Sequence, residues 1–154
     1  MFEQLNIIVG NEIYMEFIKL NEKWNAEPNA PSPHIEVEGN TLKLTFALNT
    51  FQFQQYAETD KGVLTFRGCR QYRLGPPNDE GFYSYNQSRY KKYGVKWGEF
   101  YRVQNSDWRQ TFPEDGIVVD EGSDPATLNH YLFYLRDATF ECIAMDYSFE
   151  VVEN

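Results

Sequence analysis

A chain of 154 residues that is 42% hydrophobic and 24% charged is long enough to bury a sizeable core, and its composition excludes intrinsic disorder. A net charge of −9 excludes a non-specific nucleic-acid binder, which needs a basic surface against phosphates. The charge is uneven: residues 61–110 carry +6 and the remainder −15. Aromatic residues reach 17%, and rings on that scale need a sheet or a pocket to pack against, which favours a β-rich fold.

The first residues, "MFEQLNIIVGNEI", lack a basic leader, and no apolar run is long enough to span a bilayer. "NEIYMEFIKLNEKWN" (11–25) spaces Ile13, Tyr14, Phe17, Ile18 and Trp24 as on one helix face. Asn11 is placed to cap it, and Pro28 discourages continuation. The spacing predicts an N-terminal amphipathic helix.

"HIEVEGNTLKLTFALN" (34–49) alternates apolar and polar residues on both sides of Gly39-Asn40. A two-residue turn there pairs Val37 with Leu42, Glu36 with Lys43 and Ile35 with Leu44, so turn chemistry and alternation agree on one register. The run 62–75 reads as a second extended segment, ended by Pro76-Pro77. Residues 82–93 fit either a short helix or a Tyr-rich loop. Residues 95–103 alternate as Val95, Trp97, Glu99, Tyr101 and Val103, the pattern of a strand. Residues 104–129 read as loop, with a short strand at 117–119 and a helical turn opened by Asp124-Pro125. Residues 130–152 form a second hairpin if the turn is 136–139, with Leu135 facing Phe140, Phe133 facing Cys142 and Tyr131 facing Ala144. The phase then shifts near Met145-Asp146, as a bulge would make it.

These elements predict a single α+β domain over residues 1–154: the N-terminal helix packs on a curved, mainly antiparallel, half-barrel-like sheet. The alternative is an all-β barrel or sandwich with a peripheral helix.

No nucleophile elbow, phosphate-binding loop, dinucleotide fingerprint or zinc-protease motif is present. His34, Glu36 and Glu38 share one strand face, but Lys43 opposes Glu36 and that face is solvated, so no metal site and no cofactor is expected. Alternation puts Cys69 beside Arg67, Gln71 and Arg73, cations that would favour its thiolate, although cysteine is among the most commonly buried residues. Cys142 falls in the apolar pattern. Neither cysteine belongs to a C-x-x-C pair, and a reduced, cytoplasmic, soluble protein is expected.

Two charges break apolar stripes. Arg70 follows Leu64 and Phe66 on one face, and Glu99 interrupts Val95, Trp97, Tyr101 and Val103. Opposite charges on apolar faces suggest a buried pair, with Tyr72, Trp97 and Tyr101 around it as a ligand pocket. A bulge at Gly68 would instead turn Arg70 outward. The sequence therefore carries two functional expectations. The first is a non-enzymatic protein-binding or regulatory, inhibitor-like module that uses an acidic or Tyr-rich surface, with neither nucleic acid nor membrane as partner. The second is a small anionic ligand-binding protein or enzyme built around Arg70 and Glu99.

Overall fold

A computed structural model describes residues 8, 9, 12–78, 82 and 89–153. A short pair, β1 (Ile8–Val9) and β2 (Glu12–Ile13), precedes β3 (Glu16–Lys19), β4 (His34–Glu38), β5 (Thr41–Ala47), β6 (Lys61–Arg67) and β7 (Gln71–Gly75). Then come β8 (Phe100–Gln104), the single helical turn α1 (Trp108–Thr111), β9 (Ile117–Val118), β10 (Asn129–Tyr134), β11 (Thr139–Ala144) and β12 (Asp146–Val152). Two antiparallel sheets result. One runs β3-β8-β10-β11-β7-β9 and the other β12-β6-β5-β4.

The architecture is a β-sandwich, and the expected α+β class is overturned: the described residues contain no helix of seven or more residues, and 43% of the chain is strand. The N-terminal helix is absent because 16–19 is the edge strand of the six-stranded sheet, half-buried at Glu16, Phe17 and Ile18 and exposed at Lys19. Phe17 packs among Tyr90, Tyr93 and Tyr101, while Leu20 meets the core between the sheets. Apolar residues that alternate sides along this edge, with Phe17 against the outer cluster and Leu20 against the core, show the same short-range spacing as a helix. Lys23, at φ 61°, then turns the chain, and Trp24 lies flat against Phe149 with ring centroids 4.0 Å apart. The proposed cap, Asn11, lies outside the described residues.

The first hairpin has the register read from its sequence: Ile35–Leu44, Glu36–Lys43, Val37–Leu42 and Glu38–Thr41. The second keeps its faces but slips by two, pairing Phe133 with Phe140 and Tyr131 with Cys142. Its turn is 135–138, with Leu135 N–H donating to Ala138 O at 2.9 Å, and Thr139 is drawn into the strand by a hydroxyl bond to Pro77 O at 2.8 Å. Of the strand predicted over 95–103, only 100–103 is strand, and it runs on to Gln104. In the region 82–93, Lys91–Tyr93 is a 3-10 turn, and residues 83–88 lie outside the described set. The short strand at 117–118 and the Pro125 turn, capped by Asp124 accepting from Ala126 N–H, are present as expected.

The two sheets are joined at one corner. The run 62–75 is not continuous: it leaves the four-stranded sheet after Arg67 and enters the six-stranded sheet at Gln71. The chain crosses back at Met145, where the phase shift was expected. Met145 N–H donates to Arg67 O at 2.9 Å and Arg70 N–H to Ile143 O at 2.7 Å, so the two crossings run side by side. Gly68 permits the corner. Its φ is +61°, and a Cβ there would lie 2.5 Å from the Met145 sulfur. Between the sheets sit Leu42, Leu44, Phe46, Leu64, Phe66, Phe100, Phe133 and Phe140, all fully buried.

Candidate functional site

The corner at Gly68 decides the fate of the predicted pocket. It breaks the alternation that placed Arg70 on the Leu64–Phe66 stripe, and Cys69 points into the core instead. Cys69 therefore does not share a polar face with Arg67 and Arg73. Its thiol is fully buried and lies 3.6 Å from Gln71 O as a weak donor. Burial, with Cys69 as neighbour, pushes the Cys142 thiol up.

Arg70 and Glu99 are not partners. They flank β7 and β8, strands three positions apart in the sheet, which is about 14 Å sideways. Successive pairings align Phe100 with Phe133, Phe140 and Leu74, so Glu99 sits at the Gly75 end of the sheet and Arg70 at the other. That adds about 16 Å along the strands. Glu99 accepts from Asn21 Nδ2, and Lys19 Nζ lies 3.6 Å away. Asn21 is buried, donates to Trp24 O at 2.8 Å and accepts from Phe100 N–H at 3.1 Å, so Glu99 helps fasten the 20–25 loop. Trp97 and Tyr101 do share one cluster, with Phe82 and Tyr134, and Tyr101 Oη accepts from Lys96 N–H at 2.8 Å. Tyr72 faces the opposite side of the sheet, toward the core between the sheets.

His34 and Glu36 touch at 3.3 Å on an exposed strand, and no group of three ligating side chains occurs among the described residues.

What the structure does assemble is a polar chain on the outer face of the six-stranded sheet. That face is covered by Phe82, Tyr90, Val95, Trp97 and the segment around α1, so β10 and β11 are buried on both sides. Cross-strand pairing sets Leu132 opposite Glu141 and His130 opposite Ile143, which makes His130 and Glu141 diagonal neighbours. Glu141 is only 2% exposed, and Arg89 Nη2 bonds both of its carboxylate oxygens. Arg89 Nη1 also donates to Thr111 O at 2.9 Å, tying α1 to the sheet. His130 Nε2 lies 3.5 Å from Glu141 Oε1, and its Nδ1 lies 2.6 Å from Ser106 Oγ. Ser106 Oγ accepts in turn from Trp108 N–H at 3.1 Å. Burial, with the Glu141 carboxylate nearby, pushes the Tyr90 hydroxyl up.

Three openings surround this chain. A cavity of about 250 Å³ has Arg73, Arg89, Tyr90, Tyr134 and Glu141 in its wall. A cleft of about 290 Å³ is lined by Arg70, Gln71, Trp108, Arg109 and Glu114. A third, of about 360 Å³, is lined by Arg102, Asn105, Ser106, Trp108 and His130.

Sequence reasoning did not bring Ser106, His130, Glu141 and Arg89 together. A signal for Glu141 was present: "TFECIA" is otherwise apolar or small, and a charge in a strand buried on both faces is the anomaly. Alternation hid it by assigning the Glu141 face to solvent. For Ser106 and Arg89, which lie in irregular segments 24 and 52 residues from their partners, no local signal existed. The chain matches no protein-family model, no curated protein and no solved structure.

Proposed function

We propose that the protein binds a small anionic molecule, a carboxylate or a phosphate, in the cleft between Arg70 and Arg109. One observation carries this reading. In a chain with 23 acidic and 14 basic residues, neither Arg70 nor Arg109 has a carboxylate partner among the described residues. Three other arginines are matched, Arg67 with Asp146 at 2.7 Å, Arg73 with Asp115 at 2.7 Å, and Arg89 with Glu141, whereas Arg102 of β8 is not matched among the described residues. Arg70 is held over the Trp108 ring at 5.8 Å and donates only to Glu121 O at 3.1 Å, while its Nε makes no hydrogen bond. A guanidinium stacked on an aromatic ring is pre-oriented for a planar carboxylate or a phosphate.

The test is titration calorimetry with citrate and with inorganic phosphate. Wild type is expected to bind at least one, and Arg70→Ala to weaken it about tenfold or more. Absence of binding by wild type, or equal binding by Arg70→Ala, removes this reading.

A second reading is a protein-docking edge. β9 pairs with β7 alone and exposes Ile117 at 53% and Val118 at 54%, and its neighbours Glu114, Asp115, Asp120 and Glu121 are acidic. An extended basic segment of another protein would add a strand there. Ile117→Lys with Val118→Lys is expected to abolish binding of an alternating Lys-Val peptide while leaving the anion titration unchanged.

A further inference from the structure

We infer that Ser106, His130 and Glu141 form a nucleophilic relay that cleaves carboxylic esters in the 360 Å³ cleft. This stands independently of anion binding at Arg70.

The arrangement is nucleophile, base and orienting carboxylate in one line. Ser106 Oγ is 2.6 Å from His130 Nδ1, and His130 Nε2 is 3.5 Å from Glu141 Oε1. His130 Nε2 is buried and makes no hydrogen bond among the described residues, so the Glu141 carboxylate acts on the ring by charge alone, which favours the ring proton on Nε2 and leaves Nδ1 to accept from the Ser106 hydroxyl. That is the state a general base needs. His130 is 1% exposed and Glu141 2%, while Ser106 is half-buried at the cleft wall, where Nδ1 meets its hydroxyl. Arg89 grips both Glu141 oxygens and fixes the carboxylate from behind. Asn105, just before Ser106, sits in the left-handed region at φ 57°, a conformation that turns the chain sharply at the nucleophile.

The chemistry closes on water alone. Ser106 Oγ bonds to the ester carbonyl carbon as its proton passes to His130 Nδ1. The carbon–alkoxy bond breaks, and the alcohol departs with that proton. Water then attacks the acyl-serine and gives a proton to Nδ1. The carbon–Oγ bond breaks, Ser106 regains the proton and the carboxylic acid leaves. Ser106 and His130 are the catalytic residues; Glu141 and Arg89 are positioning residues.

The alternative is that the Ser106 hydroxyl only holds the Trp108 amide. Incubation of the wild-type protein with a fluorophosphonate probe, followed by peptide mass mapping, separates the two, because only an activated serine is phosphonylated. Labelling on Ser106 and hydrolysis of p-nitrophenyl acetate are expected. Ser106→Ala is expected to abolish both, and His130→Gln to lower kcat by about 10²- to 10⁴-fold. Glu141→Gln is expected to lower kcat per serine titrated by the fluorophosphonate probe, a normalisation under which mere loss of folded protein leaves kcat unchanged. Wild-type protein unlabelled at Ser106, or hydrolysis undiminished in Ser106→Ala, overturns the proposal.

Discussion

The two faces of the six-stranded sheet come from the same strands and are covered by different things. The inner face meets the second sheet. There Phe100, Tyr131, Phe133, Phe140 and Cys142 interlock with Phe46, Phe66 and Leu64, and rings such as Phe46 and Phe133 meet edge-on at 5.1 Å. The outer face meets Phe82 and the segments 89–99 and 105–113, and there lie His130, Glu141, Arg73 and all three openings. A sheet covered by another sheet closes with little space for polar groups. A sheet covered by a loop inherits that loop's unpaired backbone groups, such as Thr111 O, and needs side chains such as Arg89 to meet them. The chemistry of this protein is on the loop-covered face.

The largest test of that contrast is on the inner face. Phe133→Ala is expected to cost about 3–5 kcal/mol in urea unfolding, because its ring packs against those of Trp24, Phe46 and Phe100 and leaves a cavity when removed. Covalent labelling of Ser106 in the variant that remains folded should be unchanged. On the outer face, Arg89→Ala strands the Glu141 carboxylate in a buried site. A loss of about 3 kcal/mol is expected, the lower end of the range for broken buried pairs, since the Arg89 side chain is itself 35% exposed. Adding Glu141→Leu should restore most of that stability, whereas no second substitution of a polar partner can rescue Phe133→Ala. Equal, unrescuable losses on both faces would erase the distinction.

The smallest effect is at the rim. A hydrogen bond from Arg73, reinforced by its charge, holds the Asp115 carboxyl below the ordinary aspartate range. The stability this supplies is present above the unfolded-state value of about 3.9 and is lost as pH falls through the lowered folded value. Asp115→Asn should therefore change little at pH 7, since the pair is solvent-screened, and should flatten the acid limb of the melting-temperature profile. An acid limb identical to wild type would show that Arg73 is held by Pro76 O, its other partner at 2.6 Å, rather than by the carboxylate.

Legibility in the sequence followed sequence distance. The Gly39-Asn40 hairpin, the short strand at 117–118 and the capped turn at Asp124-Pro125 were readable because each is decided by neighbours within a few residues. The faces of the last hairpin were readable for the same reason, since alternation survives a slip of two. The break at Gly68 was visible as an alternative, but only the approach of Met145 to its backbone settles it.

By itself, then, the sequence determined a β-rich chain, its local turns and which residues alternate. Tertiary structure decided what each alternate face meets. Residues 16–19 became a strand because they pair with the edge of β8, which sets Phe17 among Tyr90, Tyr93 and Tyr101. Arg70 was released from its stripe by a corner that joins two sheets. Ser106, His130, Glu141 and Arg89 became one site because strand pairing carries side chains across the sheet, and such pairing obeys no short period in the sequence.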